Sequence, residues 1–243
     1  GGLNVGRLRN NKVYKLRRKL GVVFQASVLD GFLTVYDNLK NRAALYGIYG
    51  KEFEKRLDEL SDILNFKDLL KRSVKKLSGG QRRKIDIARA LFHHPKILIL
   101  DEPTTGLDPQ TRKNIWNVIN KLRKEEQITV LLTTHYMEEA ADADYVVIID
   151  SGKKVASGTP LELKNKYTGD FITLYNVKEE DVIKLGFPYE VIRDAYRIAI
   201  PDTKTASDLI IEHQDIFNDF EITKGKMDDV FLQVTGKKLG DNK

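Results

Sequence analysis

Two short stretches carry residue types that could do chemistry together. In Leu77-Ser78-Gly79-Gly80-Gln81 a hydroxyl and two glycines stand at the start of a run of helix formers. Ser78 suits the N-cap, and the N–H groups behind it lie at the positive end of a helix dipole, a ready place for an anion. Glycine there lets the backbone come close to a phosphate. Further along, the aliphatic run 97–100 stops on Asp101 and Glu102. A buried strand ending on acids sets carboxylates at the C-terminal edge of a parallel sheet, where open α/β folds bind ligands. Neighbours on a strand point to opposite sides, so the two acids can take different work. One could hold a divalent cation; the other could polarise a water as general base. Read singly, these would be a capping turn and a pair of acids closing a strand. Their pairing, with Pro103 to Asp108 following, weighs against that.

These groups need a scaffold. Residues 21–25 read as a short buried strand ending on polar Gln25, and 37–46 as a helix. Phe53, Leu57, Leu60 and Leu64 give a second helix one apolar face, with Gly47 and Gly50 breaking the chain before it. A helix from near Ser78 runs through Ala90, and Pro95 marks its exit. The runs 97–100, 129–133 and 145–149 are of the kind buried on both faces of a parallel sheet, with helices at 109–124 and 137–143 between them. Such alternation predicts an α/β fold. Ser151-Gly152 predicts a turn into a hairpin strand over 153–157. From about Asp170 the texture becomes strand, helix, strand, strand, helix, strand, helix. The expected division is a core over 1–168, with a helical subdomain at about 35–90, and a small C-terminal α+β domain over 169–243.

A chain of 243 residues with 41% hydrophobic content can build such a core. No apolar run approaches the roughly 18 residues of a membrane span, and no secretory signal is visible. The absence of cysteine excludes disulfides, thiolate metal sites and a cysteine nucleophile, and fits a reducing, cytosolic setting. The net charge of +6 is concentrated in Arg7, Arg9, Lys12, Lys15, Arg17, Arg18 and Lys19. That run lacks the aromatic series that base stacking needs, so a solvated helix face is expected and no nucleic-acid partner.

The motifs, in this order, resemble the nucleotide-binding domain of an ATP-binding cassette (ABC) transporter. Leu77 to Gln81 is similar to that family's signature and Ile97 to Glu102 to its Walker B strand. Gly106-Leu107-Asp108-Pro109 is similar to its D-loop, Gln25 to its Q-loop glutamine and His135 to its switch histidine. The resemblance implies a P-loop NTPase-like core with a helical signature subdomain, working with ATP and Mg²⁺. It implies that Asp101, with Gln25 nearby, serves Mg²⁺, that Glu102 acts on the hydrolytic water, and that His135 touches the γ-phosphate and holds Glu102. Asp108 would link two sites across a dimer. Ser78, Gly79, Gly80 and Gln81 would contact nucleotide held mainly by a second nucleotide-binding subunit, in a head-to-tail homo- or heterodimer. An integral membrane permease would be the other partner, placing the chain at the cytoplasmic face of the membrane. Thr134 to Ala140, Gly152 to Pro160 and Met227 to Leu232 resemble ABC-2-type exporters, such as those for drug or antibiotic efflux.

One part of the family pattern is absent from these residues. None of the Gly-Lys pairs at Gly50, Gly152, Gly225 or Gly236 fits G-x-x-x-x-G-K-[ST]. The expectation is therefore a chain lacking the N-terminal Walker A segment, a fragment that alone neither binds ATP tightly nor hydrolyses it at a normal rate. Alternatives are a non-hydrolysing module that lends its signature to a partner ATPase, and a soluble ABC protein outside transport.

Overall fold

The computed structural model describes residues 11–236, and Arg7 and Arg9 of the basic run lie outside them. The chain groups into two compact units, one ending at His135 and one beginning at Tyr136.

In the first unit, α1 (Asn11–Arg17) leads into β1 (Leu20–Val23). Three helices follow: α2 (Val35–Ala44), α3 (Gly50–Leu64) and α4 (Gly79–Leu91). Then come β2 (Ile97–Asp101), α5 (Pro109–Glu125) and β3 (Thr129–Thr133). The strands form a parallel sheet in the order β1-β2-β3, with Leu20 opposite Ile97 and Asp101 opposite Thr133. That register brings the ends of all three strands, and the loops after them, to one edge. Helix starts are fixed locally: Thr34 caps α2 through the Asp37 N–H, and Asp108 caps α5, with proline at its first turn. α3 stops at Asn65, which takes the left-handed conformation that asparagine tolerates (φ 51°).

Phe53, Leu57, Leu60 and Leu64 are all buried, as their spacing predicts. At roughly 1.5–3 kcal/mol for each buried side chain, that face fixes α3 against the core. Phe53 stacks on Phe92 with ring centroids 5.4 Å apart, and Tyr36 meets Phe53 edge-on. Gly21 lets β1 run close beside the end of α4, because a Cβ there would lie 2.6 Å from the Ala90 carbonyl oxygen.

Two expectations need correction. The sheet strands are not buried on both faces: Leu98 and Leu100 are fully buried, but Leu131 is 58% exposed. Nor does the run 145–149 join the parallel sheet. It forms β4 (Val146–Asp150), paired antiparallel with β5 (Lys153–Gly158), and its Ile149 is 64% exposed. The hairpin itself forms as Ser151-Gly152 predicts. Ser151 (φ 49°) and Gly152 (φ 75°) are both left-handed, the two-residue geometry whose twist returns a strand on itself.

The second unit begins with α6 (Met137–Ala141), the β4–β5 hairpin and α7 (Pro160–Tyr167), and closes with α10 (Met227–Thr235). Ile148, Ala156, Leu163, Met227 and Val230 form one buried cluster there. Between them lie β6 (Asp170–Tyr175), α8 (Glu179–Lys184), β7 (Tyr189–Ile192), β8 (Ala195–Ile200), α9 (Thr203–Glu212) and β9 (Phe220–Lys224). The four strands make an antiparallel sheet ordered β7-β8-β6-β9, with Ile172, Leu174, Ile198 and Ile200 buried beneath α8 and α9. The α+β texture after Asp170 is therefore a real sheet with its own core.

Candidate nucleotide site

The strand ends bring four of the sequence-predicted residues together. β2 delivers Asp101, and the chain then turns sharply, with Glu102 left-handed at φ 42°. The turn, rather than strand alternation, separates the two acids. For a residue other than glycine that backbone conformation costs about 1 kcal/mol or more, so neighbours must hold it. The Glu102 N–H donates to both the Thr133 carbonyl (3.2 Å) and the Thr133 hydroxyl (3.0 Å) at the end of β3. The same hydroxyl donates to Asp101 Oδ1 at 2.7 Å.

The side chain of Glu102 is where the loops converge. Its Oε2 accepts from Gln25 Nε2 at 3.2 Å and from the Thr105 hydroxyl at 2.9 Å. Nδ1 of His135 lies 3.6 Å from the same oxygen. Three loops, those following β1, β2 and β3, thus meet on one carboxylate oxygen.

Ser78, Gly79, Gly80 and Gln81 form a second cluster at the start of α4. Ser78 Oγ accepts from the Gln81 N–H, and Gln81 Oε1 accepts from the Ser78 N–H, a reciprocal capping box. The glycines have a packing reason as well as a chemical one. A Cβ on Gly80 would lie 2.3 Å from Thr111 Cγ2, and one on Gly79 would lie 3.2 Å from Leu107. Asp108 belongs to this cluster too: its carboxylate accepts from the Thr111 N–H at 3.0 Å. Hydrogen bonds from the Thr111 hydroxyl and N–H hold the Asp108 pKa below the usual carboxylate range.

Three residues at the site gave no sequence signal. Thr133 and Thr105 orient the acids, yet each is an ordinary threonine in its segment. Arg83 is buried and donates to the carbonyls of Phe24, Asp101, Glu102 and Pro103. Within Arg82-Arg83-Lys84 nothing in the sequence marks it as the buried one.

The donor set suits a hydrated divalent cation. Among the described residues no group of three or more His, Cys, Asp or Glu side chains could enclose a metal ion. Two carboxylates on an exposed sheet edge are instead what Mg²⁺ takes when it keeps its waters and shares a phosphate ligand. The amides opening α4, a helix of 13 residues, fit an anion.

Comparison with known proteins agrees with this geometry. The ABC transporter family model matches residues 3–105. The linearmycin resistance ATP-binding protein LnrL of Bacillus subtilis (strain 168) is 31% identical over 259 residues, covering 99% of this chain and 81% of that protein. The chain belongs to the ATP-binding proteins of ABC transporters. The Nod factor export ATP-binding protein I of Cupriavidus pinatubonensis is 40% identical over 161 residues. That match spans 65% of this chain and 49% of the relative, about half its length. Among solved structures, the dimeric ATP-binding cassette MJ0796, in a post-hydrolysis state with ADP and Pi, superimposes with a TM-score of 0.57 at 28% identity. It covers 65% of this chain and 70% of that one. These are P-loop NTPase folds, as the parallel sheet and its loop edge require of an ABC ATPase. No described helix is long and apolar enough to cross a membrane.

Proposed function

We propose that this chain is the ATP-hydrolysing part of an ABC exporter, bound to a membrane permease at the cytoplasmic face and coupling ATP-driven dimer closure to export. The observation that carries the reading is the meeting of Gln25, Thr105 and His135 on Glu102 Oε2. All three contacts fall on one oxygen, which leaves Oε1 to accept from a water. Glu102 is the general base for that water, and His135 and Gln25 hold the carboxylate in place. Asp101, fixed by Thr133, serves a hydrated Mg²⁺ together with Gln25. ATP and Mg²⁺ supply the phosphoryl group and its charge neutralisation; the chain's own residues orient the water and the acid.

Ser78, Gly79, Gly80 and Gln81 serve a second nucleotide-binding subunit's ATP, with Asp108 at the interface between the two. Support comes from the capped amide end of α4, exposed at Ser78 and Gly79, which forms a cluster separate from Glu102. No stretch of the 243 residues fits G-x-x-x-x-G-K-[ST], so we assign the β- and γ-phosphate cradle to residues outside them. The drug-resistance name of the B. subtilis relative favours efflux as the task. In the assembled transporter, Glu102→Gln should abolish turnover and trap an ATP-bound dimer. Turnover persisting in that variant would overturn the reading.

A further inference from the structure

Arg83 and Asp86 stand one turn apart on α4, both buried, at 7% and 5% exposure. The Arg83 guanidinium donates to four backbone carbonyls and to no carboxylate. Nε reaches Pro103 at 2.7 Å, Nη1 reaches Phe24, and Nη2 reaches Asp101 at 3.0 Å and Glu102 at 2.9 Å. Asp86 accepts from the Ser27 hydroxyl at 3.1 Å and from the Val28 N–H. The loop carrying Gln25 is thus held on both sides, at Phe24 and at Ser27 and Val28. Glu102 is held likewise, its N–H by Thr133 and its carbonyl by Arg83.

Stability alone does not account for these two side chains. Burial pulls the Arg83 pKa down and pushes the Asp86 pKa up, so each gives up favourable hydration where an apolar residue would not. What the pair supplies is connection. The first turn of α4 presents Ser78 to Gln81; the next carries Arg83 and Asp86.

We propose that Arg83 and Asp86 are positioning residues that make α4, the Gln25 loop and the Glu102 backbone move as one body. Occupancy of the Ser78–Gln81 end by a neighbouring subunit's nucleotide then sets the placement of this chain's own Gln25 and Glu102. The inference rests on the function proposed above and adds a physical link between its two clusters. The planar fork of arginine is essential to it, since a lysine ammonium cannot address the four carbonyls at once.

The test is ATPase kinetics of the assembled transporter with Arg83→Lys, Ser27→Ala, the double variant and Asp86→Asn, with Glu102→Gln run alongside. Arg83→Lys should lower kcat at least tenfold and Ser27→Ala about threefold, each leaving KM for ATP within twofold. The double variant should be no slower than Arg83→Lys alone, because both break one latch. Asp86→Asn trades one acceptor oxygen for a donor, so it should lower kcat about threefold, as Ser27→Ala does. Should Arg83→Lys fail to fold, Ser27→Ala decides, since Ser27 lies on an exposed loop. If Glu102→Gln abolishes turnover while Arg83→Lys and Ser27→Ala stay within twofold, the latch is wrong and the site assignment stands. If Glu102→Gln keeps turnover, the site assignment itself is wrong. A fall in melting temperature with kcat per folded molecule unchanged would reduce Arg83 to a structural residue and also sink the proposal.

Discussion

Gln25 Nε2 donates to Glu102 Oε2 across 3.2 Å, although 77 positions separate them in the chain. Gln25 is exposed, so the bond serves the carboxylate more than the fold. Gln25→Ala should lower kcat about tenfold, near 1.4 kcal/mol of barrier, while the denaturation midpoint stays put. Gln25→Glu should do worse, since it sets a second carboxylate against Glu102. Steady-state ATPase assays beside urea melts check both.

Gly80 offers a test of packing. Alanine there would drive its Cβ to 2.3 Å from Thr111 Cγ2 and force α4 and α5 apart. Overpacking of this kind costs about 1–3 kcal/mol. Thr111→Ser removes the offending methyl and keeps the N–H that caps on Asp108. The double variant should therefore recover most of the loss in a denaturant titration. Without that recovery, the glycine is needed for something other than space.

Ser78 separates capping from ligand binding. Ser78→Ala removes half of the capping box and should cost about 1 kcal/mol of stability. Ser78→Asp keeps an N-cap acceptor, so stability should hold, yet it puts a negative charge where a phosphate would arrive. ATP-dependent dimer formation, read by size-exclusion chromatography, should be lost in Ser78→Asp despite the intact fold.

How much of this was legible beforehand differs by residue. The α3 face and the α4 cap follow from spacing and side-chain type alone, because both interactions are local. The strand at 97–101 was legible because aliphatics meeting acids have few other uses. Arg83 was not, since its partners are carbonyl oxygens of distant segments and such acceptors leave no trace in side-chain identity. The fate of the run 145–149 was misread for a related reason. Its aliphatic content is the same for a sheet interior and a hairpin; the Ser151-Gly152 turn marks the hairpin in the sequence, but not that β4 pairs with β5 alone. The left-handed Glu102 was invisible too, being a conformation imposed by Thr133 and Arg83 against local preference.

His93 predicts a pH dependence of folding. Its ring stacks on Tyr46 with centroids 3.9 Å apart, Nε2 donates to the Leu20 carbonyl at 2.9 Å, and Nδ1 is buried without a partner. Protonation would bury an unpaired charge, so desolvation pulls the pKa down from 6.5 to about 4. Between those values the unfolded chain binds more protons than the native one. Stability should be fully present above pH 6.5 and fall as the pH drops toward 4, by at most about 1.4 kcal/mol per pH unit. His93→Phe keeps an aromatic stack but cannot titrate, so its stability relative to the parent should rise steadily over that window in urea melts at each pH. A constant difference would refute the assignment.

Because Arg83 addresses only main-chain oxygens, what it recognises is a path and not an alphabet. Phe24 and Pro103 can be exchanged for other residues without removing a single acceptor, whereas a one-residue deletion in either loop would displace the acceptors that loop supplies. The arrangement is thus tolerant of substitution and intolerant of changes in loop length. Engineering around Glu102 should respect spacing before identity.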